Sequence, residues 1–156
     1  MFRKMRRREK QMTENDTLKL LHRGEYGVLS LIGDDGYPYG IPVNYVYKDG
    51  FIYFHSANEG HKTDRLKENG KVSFCVVGDT EILPGEFSTK YESVIVFGKV
   101  KEVIETNDKR TGLLSLIQKY SFEFMDKGKK YIEKDYDRAR LYKIKVEHVT
   151  GKKAID

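Results

Sequence analysis

The sequence lacks tryptophan and contains only one cysteine and three prolines among its 156 residues. The lone Cys75 excludes an intramolecular disulfide framework and a zinc site built from cysteines, and we expect no bound metal. No apolar run approaches the roughly 20 residues that a membrane-spanning helix requires, so we expect no membrane partner. The length suits a single domain over residues 1–156, which we expect to be cytoplasmic.

Positive charge is concentrated at the amino end of the chain. The formal net charge is +5, and the first ten residues, MFRKMRRREK, hold six basic side chains and one acidic one, so the rest of the chain is balanced. These residues lead into polar sequence, which is unlike a secretory signal. A short basic arm over residues 1–12 can bind phosphates, but a neutral body offers no broad basic face. We therefore expect no nucleic-acid partner, with a nucleic-acid or regulatory role of the arm as the alternative.

Alternating apolar residues between tight turns predict a mainly antiparallel sheet. The clusters DDG and KDG are typical of hairpin turns, which are too short for parallel crossovers. Six strands are predicted, over residues 26–32, 39–47, 51–54, 72–77, 93–104 and 141–149. Residues 79–91 are predicted to form a loop or lid, and Gly98 marks a bulge or a close approach of two backbones.

Short helices are predicted to flank the strands. They are expected from a cap at Thr13 to Gly24, over residues 58–68, from a cap at Asn107 or Asp108 through Tyr120, and over residues 126–134. Six strands with interspersed short helices indicate an α+β protein built on a small antiparallel barrel.

The segment FHSANEGHKTDR leaves a predicted strand and enters a predicted helix. Backbone N–H groups and the helix dipole at such a junction favour an anion. Ser56 can donate a hydroxyl hydrogen bond, while Lys62 and Arg65 add positive charge from one helix face. His55 or His61 can add a ring N–H. The segment therefore predicts a phosphate site, and an ordinary strand-to-helix connection is the alternative.

A second segment, GYPYGIPVNYVY, has the features of a site for a flat ring. Its two prolines leave ladder positions unpaired, so nearby backbone groups are available to a ligand. Asn44 offers both a donor and an acceptor, as the edge of a heterocycle requires. The tyrosines supply flat apolar surface. The alternative is that these tyrosines occupy alternating positions of the barrel.

Together these segments resemble a known family. The stretch GEYGVLSLIGDDGYPYGIPVNYVYKDGFIYFHSANEGHKTDRLKENGKVSF is similar to the FMN-binding split barrels related to pyridoxamine 5′-phosphate oxidase, and above all to their nitroimidazole-resistance, or Nim-like, branch. The resemblance extends over almost the whole chain through MRRREKQMT, PYGIPVNYVY, YFHSANEGHK and SVIVFGKV. A YFHSAxxGHK motif shortly after a PVNY strand is more specific than either motif alone.

The resemblance implies a six-stranded split barrel that forms a homodimer with FMN at the subunit interface. The implied cofactor contacts are Pro42, Val43, Asn44 and Tyr45 at the flavin ring, His55, Ser56, His61 and Lys62 at the phosphate and ribityl end, and Ser93 and Val94 from the partner subunit. The chain lacks the C-terminal Arg- and His-bearing segment with which pyridoxamine phosphate oxidases grip their substrate, so vitamin B6 oxidation is not expected.

The resemblance also implies a function. We expect an FMN-dependent oxidoreductase of the flavin reductase or nitroreductase type, which passes electrons from NADH or NADPH to a small acceptor. The cofactor would carry the redox chemistry, and His55 and His61 are the candidates to lend a proton. The alternative is a protein without turnover that binds or senses a flavin- or haem-related ligand.

Overall fold

The computed structural model describes residues 1–33, 35–56, 66 and 70–154. In this part of the chain the strands are β1 (Gly27–Ile32), β2 (Pro38–Val43), β3 (Val46–Lys48), β4 (Phe51–Ser56), β5 (Lys71–Val77), β6 (Glu81–Leu83), β7 (Ser88–Glu102) and β8 (Arg140–Ala154). The α-helices are α1 (Glu14–Arg23), α2 (Thr106–Tyr120) and α3 (Met125–Asp135). The helix predicted over residues 58–68 lies outside the described residues apart from Leu66, which is buried.

All strand pairs are antiparallel, and the strand order is β2-β1-β5-β7-β8-β4-β3, with β6 paired to β7. Among the described residues no ladder joins β2 to β3, so the sheet is not closed into a full barrel. The α+β class and the antiparallel split barrel are therefore confirmed. No helix in the described ranges has the length and apolar character needed to cross a membrane.

The structure has eight strands in its described part, where six were predicted. The predicted strand over residues 39–47 is divided, because the Tyr45 N–H donates to the Tyr120 hydroxyl rather than to a neighbouring strand. Within the predicted loop over residues 79–91, β6 pairs with the start of β7 around a turn at Pro84–Glu86. Phe87 ends this turn with a φ of 53°.

The helix ends follow from local hydrogen bonds. The Thr13 hydroxyl accepts the Asp16 N–H at 3.1 Å, which confirms the predicted cap of α1. The prediction of a cap at Asn107 or Asp108 is wrong, because the Glu105 carboxylate accepts both of their N–H groups, at 3.0 and 2.7 Å. The cap therefore lies at Glu105, two or three residues earlier than expected.

Two apolar clusters fill the fold. The larger cluster lies inside the barrel and includes Leu21, Tyr45, Phe74 and Ile144. The smaller cluster packs α2 and α3 over the outer side of β4. The two helices thus cover one side of the barrel.

The long strands β7 and β8 change register between Phe97 and Gly98, which confirms the predicted irregularity. A Cβ atom at Gly98 would lie 2.3 Å from the Lys145 carbonyl oxygen. The two backbones can therefore approach this closely only at a glycine.

Candidate functional site

The residues predicted to contact a flavin ring lie where β2 ends and β3 begins. Pro42 and Asn44 are exposed, and the Asn44 side-chain amide donates to the Glu25 carbonyl at 3.0 Å. Val43 is buried, and Tyr45 is fully buried, with its ring in the barrel core. The side chains that a ligand can reach here are those of Pro42 and Asn44.

The end of α2 holds the backbone of Tyr45. The Tyr45 N–H donates to the Tyr120 hydroxyl at 3.0 Å, and its carbonyl lies 2.9 Å from that hydroxyl and 2.9 Å from the Lys119 ammonium. Lys119 also donates to the Gly24 carbonyl at 2.6 Å and lies 3.9 Å from the centroid of the Tyr45 ring. These bonds fix the junction of β2 and β3, and they use the backbone groups of Tyr45 that were expected to face a ligand.

Lys119 is an unusual cation. It is half-buried, and burial lowers its pKa to about 8. Its hydrogen-bond acceptors are neutral carbonyls, and within the described residues no carboxylate forms an ion pair with it. A cavity of about 400 Å³ opens beside it, lined by His22, Arg23, Glu25, Asn44, Lys119 and Tyr120.

The residues predicted to hold a phosphate lie at the end of β4. The Ser56 side chain is buried, and His55 is exposed on the side of β4 that faces the helices. Both line a mainly apolar cavity of about 470 Å³, together with Leu113, Leu116, Ile117, Tyr131, Ile132, Asp135, Arg138 and Ala139. His61, Lys62 and Arg65, which were also predicted to hold the phosphate, lie outside the described residues.

The hairpin of β3 and β4 relates the position of Asn44 to that of His55. Val46 pairs with Tyr53 at the open end of this hairpin. Asn44 precedes that pair and His55 follows it, so both lie at the same end of the hairpin. Asn44 and His55 thus lie near the same end of the hairpin but line different cavities.

The remaining predicted pair, Ser93 and Val94, lies elsewhere. Val94 is fully buried in the core, while Ser93 faces outward. Ser93 pairs with Lys152 on β8, whereas His55 pairs with Leu141, eleven residues away along the same strand. At about 3.3 Å per residue this is roughly 35 Å of strand.

An apolar surface that no helix of the described ranges covers extends across the outward side of β1, β5 and β7. Val28, Cys75 and Ile95 follow one another across these strands. We call this surface the bare face; its large side chains, 37% to 56% exposed, are Val28, Ile32, Val77, Ile95 and Phe97. Burial raises the pKa of the Cys75 thiol, which keeps it protonated and unreactive.

The amino-terminal arm lies against one margin of the bare face. The Phe2 ring stacks on Phe97, with centroids 5.4 Å apart, and on His148 at 4.8 Å. Arg3 and Met5 line a small cavity of about 220 Å³ beside these rings. The arm is therefore in contact with the sheet rather than separate from it.

Sequence reasoning did not single out Lys119 or Tyr120. A lysine in the last turn of a helix usually extends into solvent, and no local pattern distinguishes this one. Its acceptors are 95 and 74 positions away along the chain. Only the tertiary structure brings them together.

Comparison with known proteins identifies related chains. The sequence model of a family described as pyridoxamine 5′-phosphate oxidase matches residues 13–153. No curated protein matches the chain by sequence.

Solved structures share the fold. A candidate 5-nitroimidazole antibiotic resistance protein from Bacteroides thetaiotaomicron is 22% identical, with 91% of this chain and 85% of that chain covered and a TM-score of 0.73. An FAD-binding protein from Mesorhizobium loti is 24% identical, with 93% and 97% covered and a TM-score of 0.64. An FAD and heme binding protein from Mycobacterium smegmatis is 18% identical, with 94% and 74% covered and a TM-score of 0.77.

Proposed function

Because the chain belongs to the pyridoxamine 5′-phosphate oxidase family, we propose that it is an FMN-dependent oxidoreductase. In this proposal a homodimer binds FMN at its interface and passes electrons from NADH or NADPH to a small acceptor. The bound flavin would supply the hydride and electron transfer, and the protein its binding, orientation and electrostatics. FAD-binding proteins with the same fold support a flavin cofactor, and the choice of FMN rests on the family resemblance.

The separation of the predicted contacts along β8 carries the proposal of a dimer. Ser93 and His55 are divided by roughly 35 Å of strand, and they face different sides of the barrel, since His55 lies beside α2 and α3. We therefore infer that the two residues contact one flavin from different chains. Two copies related by symmetry can do so, with Asn44 and His55 from one subunit and Ser93 from the other.

The bare face supports the same arrangement. A contiguous exposed apolar surface is a common feature of protein–protein interfaces. Ser93 pairs with Val77, a residue of the bare face, so an interface across this surface would bring Ser93 against the partner. We therefore propose that the bare face is the dimer interface and that the same dimer forms the flavin site.

The residues near Asn44 fit a flavin. Asn44 is exposed, and its amide donates to the Glu25 carbonyl and to the Tyr120 hydroxyl, which leaves its carbonyl oxygen for a ligand; the neighbouring Pro42 has no N–H to satisfy. At the other end, the Ser56 hydroxyl borders a cavity. The chain's own groups would hold the ring edge at Asn44 and the phosphate near Ser56, with His55 at the rim as the candidate to hold a proton.

The absorbance spectrum of the purified protein tests the proposal. We expect flavin bands, a particle mass of two chains, and bleaching of the bands when NADH or NADPH is added without oxygen. A protein that is colourless and does not take up added FMN would disprove the cofactor. A titration with FAD as well as FMN determines which flavin is preferred.

A protein that binds or senses a ligand without turnover is the second candidate function. The Mycobacterium smegmatis protein that binds both FAD and heme has this fold and supports this second candidate. Bands that persist with both nicotinamide donors, while dithionite bleaches them, would indicate such a binder.

A further inference from the structure

We propose that the cavity between α1, the β2–β3 junction and the end of α2 binds a small planar carboxylate beside the flavin. This inference rests on the proposed function, because it takes the ligand to be the electron acceptor or a molecule that occupies the acceptor's place. The cavity of about 400 Å³ is within the range of small-molecule sites.

The uncompensated charge of Lys119 favours an anion. The ammonium donates two of its three N–H groups to carbonyls, and its third has no acceptor among the residues that the structure describes. Of the other charged groups at the cavity, Arg23 is paired with Glu92 at 2.5 Å, and the exposed Glu25 carboxylate forms no ion pair with Lys119, so a bound carboxylate would lie on the Lys119 side of the cavity, away from Glu25. A half-buried cation without a carboxylate is costly, and a ligand carboxylate would offset that cost.

The remaining lining favours a flat ring. The Tyr120 ring is 39% exposed and lines the cavity. The His22 ring, on α1, is held edge-on to Tyr47, with 4.9 Å between the ring centroids. A planar ligand could pack between such surfaces while its carboxylate faces Lys119.

Asn44 connects the cavity to the flavin. Its side chain lines the cavity, and the family resemblance assigns it to the flavin ring. A ligand in this cavity would therefore lie beside the ring edge, where an electron acceptor must be. An alternative role for Lys119, as a structural link between Gly24 and Tyr45 only, predicts no ligand.

Benzoate and its neutral counterpart benzamide distinguish these roles. We expect benzoate to bind the flavin-loaded protein saturably by calorimetry and to shift the flavin absorbance, and benzamide to bind about tenfold more weakly, as for the loss of a charge-assisted hydrogen bond. Lys119→Gln should remove the preference for benzoate, whereas Lys130→Gln, at an exposed position of α3, should keep it. Equal binding of the two compounds, or no binding of either, would overturn the proposal.

A pH titration of the unmodified protein repeats the test without a variant. Burial lowers the pKa of Lys119 to about 8, so its charge is lost as the pH rises through that value. Benzoate affinity should therefore fall between about pH 7 and 9, and benzamide affinity should stay constant. The other ionisable groups that face Lys119 are His22 and Arg23 on α1, Glu25 after it, and Tyr45 and Tyr120. A flat benzoate profile contradicts the proposal.

The two proposals fail separately. If the protein binds no flavin, the proposed function is wrong, and calorimetry with benzoate on the flavin-free protein still decides whether the cavity binds a carboxylate. If flavin binds but benzoate neither binds nor shifts its spectrum, only the cavity proposal is wrong.

Discussion

Tyr45 stabilises the fold through its ring, its hydroxyl and its backbone at once. The ring meets Phe74 edge-on in the core, at 4.9 Å between centroids, and the hydroxyl donates to the Leu21 carbonyl at 2.5 Å. Burial raises the pKa of this hydroxyl far above its ordinary value, so it remains a donor. The last turn of α1 and the β2–β3 junction are thus joined by one side chain.

Removal of the Tyr45 hydroxyl tests this role. Tyr45→Phe should lower the free energy of unfolding by about 1–3 kcal/mol, because the Leu21 carbonyl loses its buried donor. Tyr37→Phe is the matched control, since Tyr37 is 73% exposed, and it should change stability by less than about 0.5 kcal/mol. Urea denaturation measures the free energy of unfolding of both variants. Equal effects would mean that the Tyr45 hydroxyl contributes nothing specific.

At the scale of the element, α2 links the two sides of the proposed site. Its first turn is capped by Glu105, its middle packs on β4 through Leu113 and Leu116, and its end holds the β2–β3 junction through Lys119. A shift of this helix would therefore move Asn44. The stability of α2 is a condition for the geometry of the site.

Two neighbouring substitutions test where α2 begins. Glu105→Ala should destabilise the protein by about 1 kcal/mol, because two N–H groups of the first turn lose their acceptor. Asn107→Ala should have little effect, since the Asn107 backbone N–H that Glu105 accepts remains. Thermal or urea unfolding decides between them. A larger loss of stability for Asn107→Ala than for Glu105→Ala would show that Asn107 caps the helix, as the sequence predicted.

The sequence contains the strand pattern but not the contacts that divide it. Local alternation and the hairpin turns were enough to predict the antiparallel barrel, and a glycine within a strand pattern predicted the irregularity at Gly98. The break after Val43 could not be predicted, because it depends on Tyr120, 75 positions away. The caps show the same limit on a smaller scale, since Glu105, Asn107 and Asp108 all suit a helix start and only the backbone geometry selects one.

At the scale of the whole molecule, the two sides of the barrel differ in what covers them. The helices α2 and α3 bury the outer side of β4, while β1, β5 and β7 leave the bare face exposed. The arm lies along the β7 margin, through Phe2 on Phe97 and through Arg3 and Met5, which line a cavity with Ser93 and Ile95. In the proposed dimer a second copy of the chain would bury the remainder, and the arm would then lie at the edge of the interface or move from it.

A charge on the bare face should separate the subunits and remove the flavin. Ile95 is 43% exposed and points outward, so Ile95→Asp should leave the chain folded, with an unchanged far-ultraviolet circular dichroism spectrum. In a dimer two carboxylates would be buried without partners, which is costly. We therefore expect a particle mass of one chain and no retained FMN.

The control for Ile95→Asp lies outside the bare face. Ile104 is 81% exposed before α2, and Ile104→Asp should keep both the dimer and the flavin. Light scattering after size-exclusion chromatography gives the mass, and absorbance gives the flavin content. If Ile95→Asp remained dimeric, the interface would lie on another surface. If it became monomeric and kept its flavin, a single chain would hold the cofactor, and the assignment of Ser93 to the partner subunit would be wrong.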